Sequence, residues 1–260
     1  MIETDLYEPV KTYFSKLGYS SWGEVKGYDM AAQKGDELVA VELKLHFNTK
    51  LVFQAMERQK SADKVYMAIP RPKRIGKEAR SMIELASRLG LGLLFVALDS
   101  EYKLVEPAVE PDPEFHVARR NLKKRRAVLK EAAGRSGDYN MGGSSKKKLN
   151  TAYREKALRV ALALEKEGAS SAPALIKNCG CDKQTYGILS RNFYGWFERT
   201  GEKPVFCLSQ EGKKQLEESA GDELLAKIRE DMAKQSEPED QDKPEDQDNP
   251  EDQSKPEDQA

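Results

Sequence analysis

The stretch from Tyr28 to Leu45, YDMAAQKGDELVAVELKL, restricts the possible fold more than any other part of the sequence. Gly35-Asp36 is a favourable centre for a two-residue hairpin, because glycine tolerates the positive φ that such turns require. If the turn lies there, continuing the strand register brings Asp29 opposite Glu42. The sequence therefore predicts an antiparallel hairpin with two acids side by side near its open end.

This arrangement of acids needs an explanation. Opposed residues of a sheet hold their Cβ atoms about 4.5–5.5 Å apart, and like charges at that separation are destabilising. Lys44 lies one step further along the same face as Glu42. A hard divalent cation is a candidate to offset the repulsion, because such ions take carboxylate oxygens and keep several waters. The alternative is that Glu42 and Lys44 are ordinary polar residues on a solvated face and that Asp29 is a turn acid.

Charge is distributed unevenly along the 260 residues, although the net charge is only -1. Residues 236–260 hold 11 acids against 2 lysines, and the preceding part holds 41 Lys and Arg against 33 acids, a net charge of +8. Such a split predicts that the basic part contacts nucleic acid, with a solvated or interacting tail. There is no long apolar run and no charged leader, so we expect a cytoplasmic protein without a membrane partner.

Apolar periodicity divides the chain into four segments. Residues 1–113 show an α-β-β-β-α-β-α-β order, which implies an α/β mixed sheet with helices packed on it. Residues 114–150 are expected to form a connector made of a basic helix and a Gly-rich linker, and the stretch 119–156 holds 13 Lys and Arg against 3 acids. Residues 151–235 show three helices and then a β-hairpin, which is typical of a winged helix. Residues 236–260 repeat PEDQ and are expected to be disordered, because they cannot bury a core.

Several polar residues resemble those of the PD-(D/E)XK phosphodiesterase superfamily. They are Glu8 in the first helix, Asp29 at the start of a strand, Glu42-Leu43-Lys44 at the end of the next, and Gln54 in the following helix. The order of elements over about residues 1–100 is similar to the core of that superfamily. Further along, RSGDYNMGG, TAYR and NFYGWF resemble a bacterial family of this superfamily that has a winged-helix-like C-terminal part.

The resemblance implies a restriction-endonuclease-like fold and metal-dependent cleavage of phosphodiester bonds, with Mg²⁺ or Mn²⁺ as the cofactor. Asp29 and Glu42 would bind the metal. Lys44 would orient or activate the attacking water and stabilise the developing charge. Glu8 would reach the metal through water, and Gln54 would position Lys44 or a phosphate. Ordinary helix surface is the alternative interpretation of Glu8 and Gln54.

The basic C-terminal half supplies the candidate contacts to nucleic acid. If the third helix of the winged helix enters a groove, its polar residues would face the bases and the wing would bind phosphate. Basic residues of the connector would add phosphate contacts. The candidates are Lys183, Gln184, Arg191, Arg199, Lys203, Arg135, Lys146 and Lys147. Tyr186, Leu189 and Phe193 are expected to pack inward. A winged helix can alternatively dock another protein.

Two hypotheses about function come from these features. The first is a metal-dependent nuclease in which a restriction-like core is joined to a winged-helix DNA-binding module. It could act as a homodimer, because many proteins with this core pair to cut two strands. The second is a noncatalytic DNA-binding regulator or scaffold with a degenerate nuclease core. Phosphodiester chemistry on RNA or on a small nucleotide remains a third possibility.

Overall fold

The computed structural model describes residues 1–99, 102–112, 114–115, 120–144, 148–201 and 204–234. The predicted acidic tail, residues 236–260, lies outside the described residues, as do Lys146, Lys147 and Lys203. Among the helices of the described ranges, none combines the length and the apolar character needed to cross a membrane.

The first part of the chain forms a six-stranded mixed sheet in which the strands lie in the order β1 to β6. The strands are β1 Ser20–Val25, β2 Tyr28–Lys34, β3 Glu37–Leu43, β4 Lys64–Pro70, β5 Gly92–Val96 and β6 Val105–Val109. Strands β3, β4 and β5 run parallel, and the other neighbouring pairs are antiparallel. The predicted α/β mixed sheet flanked by helices is confirmed, and β6 is an edge strand that the sequence patterns did not reveal.

Helices cover both faces of this sheet. They are a 3-10 helix Glu3–Leu6, then α1 Tyr7–Lys16, α2 Thr49–Gln59, α3 Lys77–Arg88 and α4 Leu122–Ala133. Alternation along β3 sends Val39, Val41 and Leu43 into the core beneath α1, whereas Leu38 and Ala40 enter the core beneath α2 to α4. The central strands are thus buried on both faces, which explains their nearly continuous apolar sequence.

Part of the predicted basic connector packs against this sheet. Val128 of α4 is buried in the core beneath α2 and α3, and α4 lies beside β1. Arg120 and Arg125 form ion pairs with Asp63 at 3.3 and 2.7 Å. The described residues 120–144 are therefore an integral layer of the first unit, and much of their charge is used in internal contacts.

The C-terminal part builds a separate core from helices and a small sheet. Its elements are α5 Ala152–Glu167, β7 Ser170–Ser171, α6 Ala172–Asn178, α7 Thr185–Arg191, β8 Phe197–Thr200, β9 Val205–Leu208, α8 Gln210–Glu218 and α9 Glu223–Lys234. The sheet order is β7-β9-β8, and all its neighbouring strands are antiparallel. Ile188 and Trp196 are buried in this core, whereas Tyr186 and Phe193, which we expected to pack inward, are 54% and 76% exposed. The expectation is wrong for Tyr186 and Phe193 but is confirmed for Leu189, which is buried with Ile188 on the inward face of α7.

Candidate active site

The β2–β3 hairpin places the two predicted acids next to each other. Its strands pair in the predicted register, and the last recorded pair is Met30 with Val41. Asp29 and Glu42 occupy the next position of that register. The backbone N–H of Leu43 donates a hydrogen bond to Asp29 Oδ2 at 2.8 Å, so the Asp29 side chain is held against the end of β3.

The β1–β2 hairpin brings in a third acid, which the sequence analysis missed. A two-residue turn at Lys26-Gly27, with φ of 49° and 84°, sets the register of β1 against β2. In that register Glu24 takes the position opposite Asp29, although its own φ of 49° departs from regular strand geometry. Three neighbouring strands therefore carry Glu24, Asp29 and Glu42 in one row. The Lys26-Gly27 turn was the signal that could have revealed Glu24, because glycine is favoured in such turns.

Glu42 is the most buried charged group of the site, with no exposure to solvent. Arg58 Nε donates a hydrogen bond to Glu42 Oε1 at 2.6 Å, whereas Oε2 is buried and has no hydrogen-bond partner among the described residues. Burial and the nearby Asp29 carboxylate raise the pKa of Glu42 to about 7, and Arg58 opposes the rise. A buried carboxylate oxygen without a partner, beside a second carboxylate, is a position where a cation would be stabilising.

Lys44 lies within the same group of charges. Its Nζ is 2.8 Å from Glu3 Oε2 and 3.7 Å from Asp29 Oδ2, and it donates to the carbonyl oxygen of Leu43 at 3.0 Å. Burial lowers the pKa of Lys44, but the hydrogen bond to Glu3 and the charge of Asp29 outweigh that effect and raise the pKa overall. Burial raises the pKa of Asp29, although the hydrogen bond from Leu43 and the charge of Lys44 lower it. Lys44 is therefore an ammonium group at neutral pH.

Glu3 is an N-terminal acid that contacts Lys44 directly. The 3-10 helix carries Glu3 to Lys44, whereas Glu8 is exposed on α1 and lines a surface depression with Tyr13 and Tyr102. No hydrogen bond or ion pair among the described residues joins Glu8 to Lys44 or to the acids, so its predicted role stays a prediction. Sequence reasoning passed over Glu3 because the 3-10 turn before α1, which sets its direction, leaves no clear apolar pattern.

Gln54 lies on the same face of α2 as Arg58, one helical turn away. Because Arg58 contacts Glu42, this face of α2 is the one that approaches the acids. Gln54 Oε1 is buried and lacks a hydrogen-bond partner within the described part of the chain. Arg58 is a further residue of the site. Its position four residues after Gln54 on α2 was the sequence signal that both side chains lie on one helix face.

The oxygen donors of the site fit a small divalent cation. Within the described ranges, no group of three or more His, Cys, Asp and Glu side chains is arranged to hold a metal ion. Mg²⁺ does not need such a group, because proteins usually bind it through one or two carboxylates while it keeps several waters. Asp29 and Glu42, with its unpartnered Oε2, supply a pair of this kind.

The predicted nucleic-acid contacts differ in exposure. Exposed side chains occur at Lys183, Gln184, Arg191 and Arg199. Arg135 is 8% exposed, and its guanidinium donates to the carbonyl oxygens of Gly23 and Glu24 at 2.8 and 3.0 Å. We therefore correct the prediction that Arg135 contacts phosphate, because its charge is used inside the protein. Lys146, Lys147 and Lys203 fall outside the described ranges.

A comparison with protein families adds independent information. Residues 94–215 match the family model described as "Putative PD-(D/E)XK phosphodiesterase (DUF2161)". The match confirms the superfamily resemblance. It runs from β5 into α8 and includes the RSGDYNMGG segment, whereas Asp29, Glu42 and Lys44 precede it. No curated protein and no solved structure matches the chain. The family match supports a phosphodiesterase-type hydrolase, and the choice of site residues rests on the geometry of the three strands.

Proposed function

We propose that this protein is a metal-dependent nuclease that hydrolyses phosphodiester bonds of DNA. The proposal is carried by Glu42, whose fully buried Oε2 has no hydrogen-bond partner among the described residues and lies near a second carboxylate, Asp29. Burying an unpaired carboxylate oxygen beside a like charge opposes folding. A cation shared by Glu42 and Asp29 would relieve both effects.

Each residue of the site has a role in this proposal. Asp29 and Glu42 would hold Mg²⁺ or Mn²⁺, which when bound supplies Lewis-acid stabilisation and lowers the pKa of a bound water. Lys44 keeps its proton, because Glu3 and Asp29 raise its pKa. It therefore stabilises the negative charge that develops on the phosphate oxygens and orients the attacking water, and does not act as a base. The Leu43 N–H fixes the orientation of Asp29.

Helix α2 supports these groups from one face of the sheet. Arg58 donates a hydrogen bond to Oε1 of Glu42. Oε2 has no partner among the described residues, so it could bind a cation. Gln54 offers a buried amide oxygen that has no partner in the described parts of the chain, which suits the positioning of a water or of the Lys44 ammonium.

A basic loop beside the site supports a nucleic-acid substrate. Strands β3 and β4 are parallel, so the Glu42–Lys44 end of β3 and the loop after β4 lie at the same edge of the sheet. That loop, RPKRIGK at residues 71–77, contains no acid, and Arg74 and Lys77 line a surface cavity together with His46. A polyanion that approached the site would meet this positive charge, and neutralisation of phosphates by such residues is the main source of nonspecific affinity.

We infer that residues 151–235 are a winged-helix DNA-binding module. Three helices followed by the β8–β9 hairpin support this assignment, and Lys183, Gln184 and Arg191 flank or lie on α7 with exposed side chains. If α7 enters a groove, these residues would contact DNA. Arg199 of β8 and Lys203, which follows it in sequence, would bind phosphate. Lys146 and Lys147 complete the proposed set.

The deciding experiment compares the full chain with its Asp29→Ala variant on single-stranded, duplex and branched DNA and RNA, in Mg²⁺ or Mn²⁺. We expect the variant to lose cleavage by at least about 10²-fold while it still binds DNA. Asp36→Ala is the matched control, because Asp36 is an exposed acid in the turn of the same hairpin. Cleavage by Asp29→Ala at the rate of the unmodified protein would overturn the proposal.

One observation favours the alternative, a noncatalytic DNA-binding regulator or scaffold. Arg58 already neutralises part of Glu42, and Glu3 neutralises Lys44, so the charges of the site are partly balanced within the protein. In that case the unmodified protein would bind DNA but would show neither affinity for Mn²⁺ nor cleavage of any substrate in the panel.

A further inference from the structure

The RSGDYNMGG segment, continued to Ser144, is in direct contact with the row of acids. We propose that Glu24 is a further residue of this site, a positioning residue for the metal-binding carboxylates, and that residues 135–144 form a clamp that holds it there. This inference rests on the proposed nuclease function, and it assigns a role to a segment that the proposed mechanism does not use.

The first part of the clamp grips the backbone of β1. The Arg135 guanidinium donates to the carbonyl oxygens of Gly23 and Glu24, and Asp138 Oδ1 accepts a hydrogen bond from the Gly23 N–H at 2.8 Å. Arg135 is held in turn by Glu131 of α4 at 3.1 Å. The backbone on both sides of the Gly23–Glu24 peptide is therefore fixed by buried or half-buried charged groups, which make the stronger kind of hydrogen bond.

Asp138 also connects the clamp to α1. Its Oδ2 accepts a hydrogen bond from the Tyr7 hydroxyl at 2.6 Å and lies 2.7 Å from Lys11 Nζ. Burial and Asp138 raise the pKa of Tyr7, so the hydroxyl stays protonated and remains a donor. The Gly23 N–H, the Tyr7 hydroxyl and the Lys11 ammonium thus surround the Asp138 carboxylate and fix its position.

The glycines of the clamp allow its backbone to lie directly on the strands. A Cβ at Gly142 would come within 2.4 Å of the carbonyl oxygen of Asp29, and a Cβ at Gly23 would come within 2.2 Å of the carbonyl oxygen of Asn140. Such distances exclude any side chain at these two positions. The close approach brings the backbone N–H groups of Gly143 and Ser144 to the Glu24 carboxylate.

Glu24 is thereby held close to the charges of the site. Burial and the Asp29 carboxylate raise its pKa, while the hydrogen bonds from the clamp and the charge of Lys44 lower it. Its φ of 49° is uncommon for a residue with a side chain, and the clamp holds the two peptide groups on either side of it. The nearby Glu42 Oε2, which is buried and has no partner in the described ranges, marks the place where a cation is expected.

Glu24 fits an indirect role better than direct ligation. Among the described side chains, Glu24, Asp29 and Glu42 do not form a group arranged to hold a metal ion together. A carboxylate that is fixed by backbone N–H groups beside a ligand can instead orient a metal-bound water or the ligand itself. Mutation of such outer partners typically lowers metal affinity or activity about 10–100-fold.

The test measures Mn²⁺ affinity of the full chain by calorimetry, without nucleic acid, and then kcat and KM for cleavage. Glu24→Gln is expected to weaken Mn²⁺ binding about 10–100-fold and to lower kcat more than it changes KM, and Glu24→Asp is expected to recover part of the affinity. Asp138→Asn should shift affinity in the same direction by a smaller factor. The double variant should lose less than the product of the two factors, because both changes act through Glu24.

Glu155→Gln is the matched control. The Glu155 carboxylate accepts hydrogen bonds from the Ser136 N–H at 3.0 and 3.2 Å, so it holds the same segment from the side of α5, away from Glu24. We expect it to leave Mn²⁺ affinity unchanged. Melting temperatures confirm that each variant is folded.

The outcomes separate the two proposals. If the unmodified protein binds Mn²⁺ and Asp29→Ala does not, while folded Glu24→Gln binds within about twofold of the unmodified protein, the role of Glu24 is overturned and the nuclease proposal stands. If Glu155→Gln weakens binding as much as Asp138→Asn, the clamp acts only through overall stability and its positioning role is overturned. If the unmodified protein binds no Mn²⁺, both proposals fail.

Discussion

The large sheet and the C-terminal unit each bury a charged side chain with one polar atom that has no hydrogen-bond partner in the described ranges. In the sheet this group is Glu42, and in the C-terminal unit it is Arg154, which is 3% exposed. The Arg154 guanidinium lies 5.6 Å from the centre of the Trp196 ring and donates to the side-chain oxygens of Asn150 and Ser219. Glu42 has Arg58 on one oxygen and the charge of a second acid nearby.

Under the proposed function, Glu42 is the buried charge that serves chemistry and Arg154 is the one that serves folding. Burial lowers the pKa of Arg154, but the ordinary pKa of a guanidinium lies so far above neutral that Arg154 stays charged. A guanidinium is also weakly hydrated and stacks on aromatic rings, as Arg154 does on Trp196, so it is tolerated here without a salt bridge to any described acid. The surroundings of Glu42 instead favour its neutral form, and the repulsion is relieved only by a proton or a cation. A buried group whose neighbours disfavour its charge is a candidate for function.

The largest expected effect is on cleavage. Glu42→Gln keeps the shape of the side chain but removes its charge, and we expect cleavage to fall by about 10²–10³-fold. Arg154→Met should leave the rate per folded molecule unchanged, because Arg154 belongs to the other core. Full activity of Glu42→Gln in a gel-based cleavage assay would show that Glu42 is a structural residue like Arg154.

The next effect is a loss of folding stability, and we expect it for substitution of Arg154. Arg154→Met removes the hydrogen bonds and the contact with Trp196, so we expect the free energy of unfolding to fall by about 2–4 kcal/mol in urea titrations. Lys213→Met, at an exposed position of α8, serves as the control. A loss as small as that of the control would mean that the buried guanidinium contributes little to folding.

Metal should stabilise only the protein whose acids are intact. At 100 times the dissociation constant, Mn²⁺ is expected to add about 2.7 kcal/mol to the free energy of unfolding, because it binds the folded state. Thermal melting with and without EDTA measures the increment, which should persist in Arg154→Met and disappear in Asp29→Ala. An equal increment in Asp29→Ala would place the metal elsewhere on the protein.

The smallest effect is a pH dependence of the metal-free protein. Because the pKa of Glu42 rises from 4.5 to about 7 on folding, the folded state holds the proton more tightly than the unfolded state. Its contribution is therefore fully present below about pH 4.5 and is lost as the pH rises through 7, a change of roughly 2–3 kcal/mol between pH 5 and 8. Denaturant titrations of the metal-free protein at pH 5 and 8 should show this decline. The decline should be weaker in Glu42→Gln, and a parallel decline in both proteins would rule out Glu42 as its source.

Local patterns were sufficient to predict the hairpin that carries the site. Alternation along β3 and the glycine at position 35 set both the faces and the register, so the neighbouring positions of Asp29 and Glu42 followed without any long-range information. The same reasoning applied to the Lys26-Gly27 turn would have placed Glu24 opposite Asp29. Its contacts with residues 143 and 144 were beyond reach, because about 120 positions of sequence separate the partners.

Long-range packing decided the remaining features. Glu3 approaches Lys44 because a 3-10 helix precedes α1, whereas the Glu8 side chain is exposed on α1. Arg135 belongs to a strongly basic stretch, and composition alone favoured a phosphate contact for it. Instead its charge stabilises the backbone carbonyl groups of β1.

Apart from β6 and the 3-10 helix, the sequence by itself determined the order of helices and strands in the first part of the chain. It also determined the register of the β2–β3 hairpin and the identity of the central acids and lysine, because those depend on side-chain alternation and turn chemistry over a few residues. Only the tertiary structure decided which distant groups surround them. The 3-10 helix, α2 and the clamp of residues 135–144 meet at the ends of the strands, and such contacts depend on how whole elements pack. Packing direction is set by the shared core, and no local pattern encodes it.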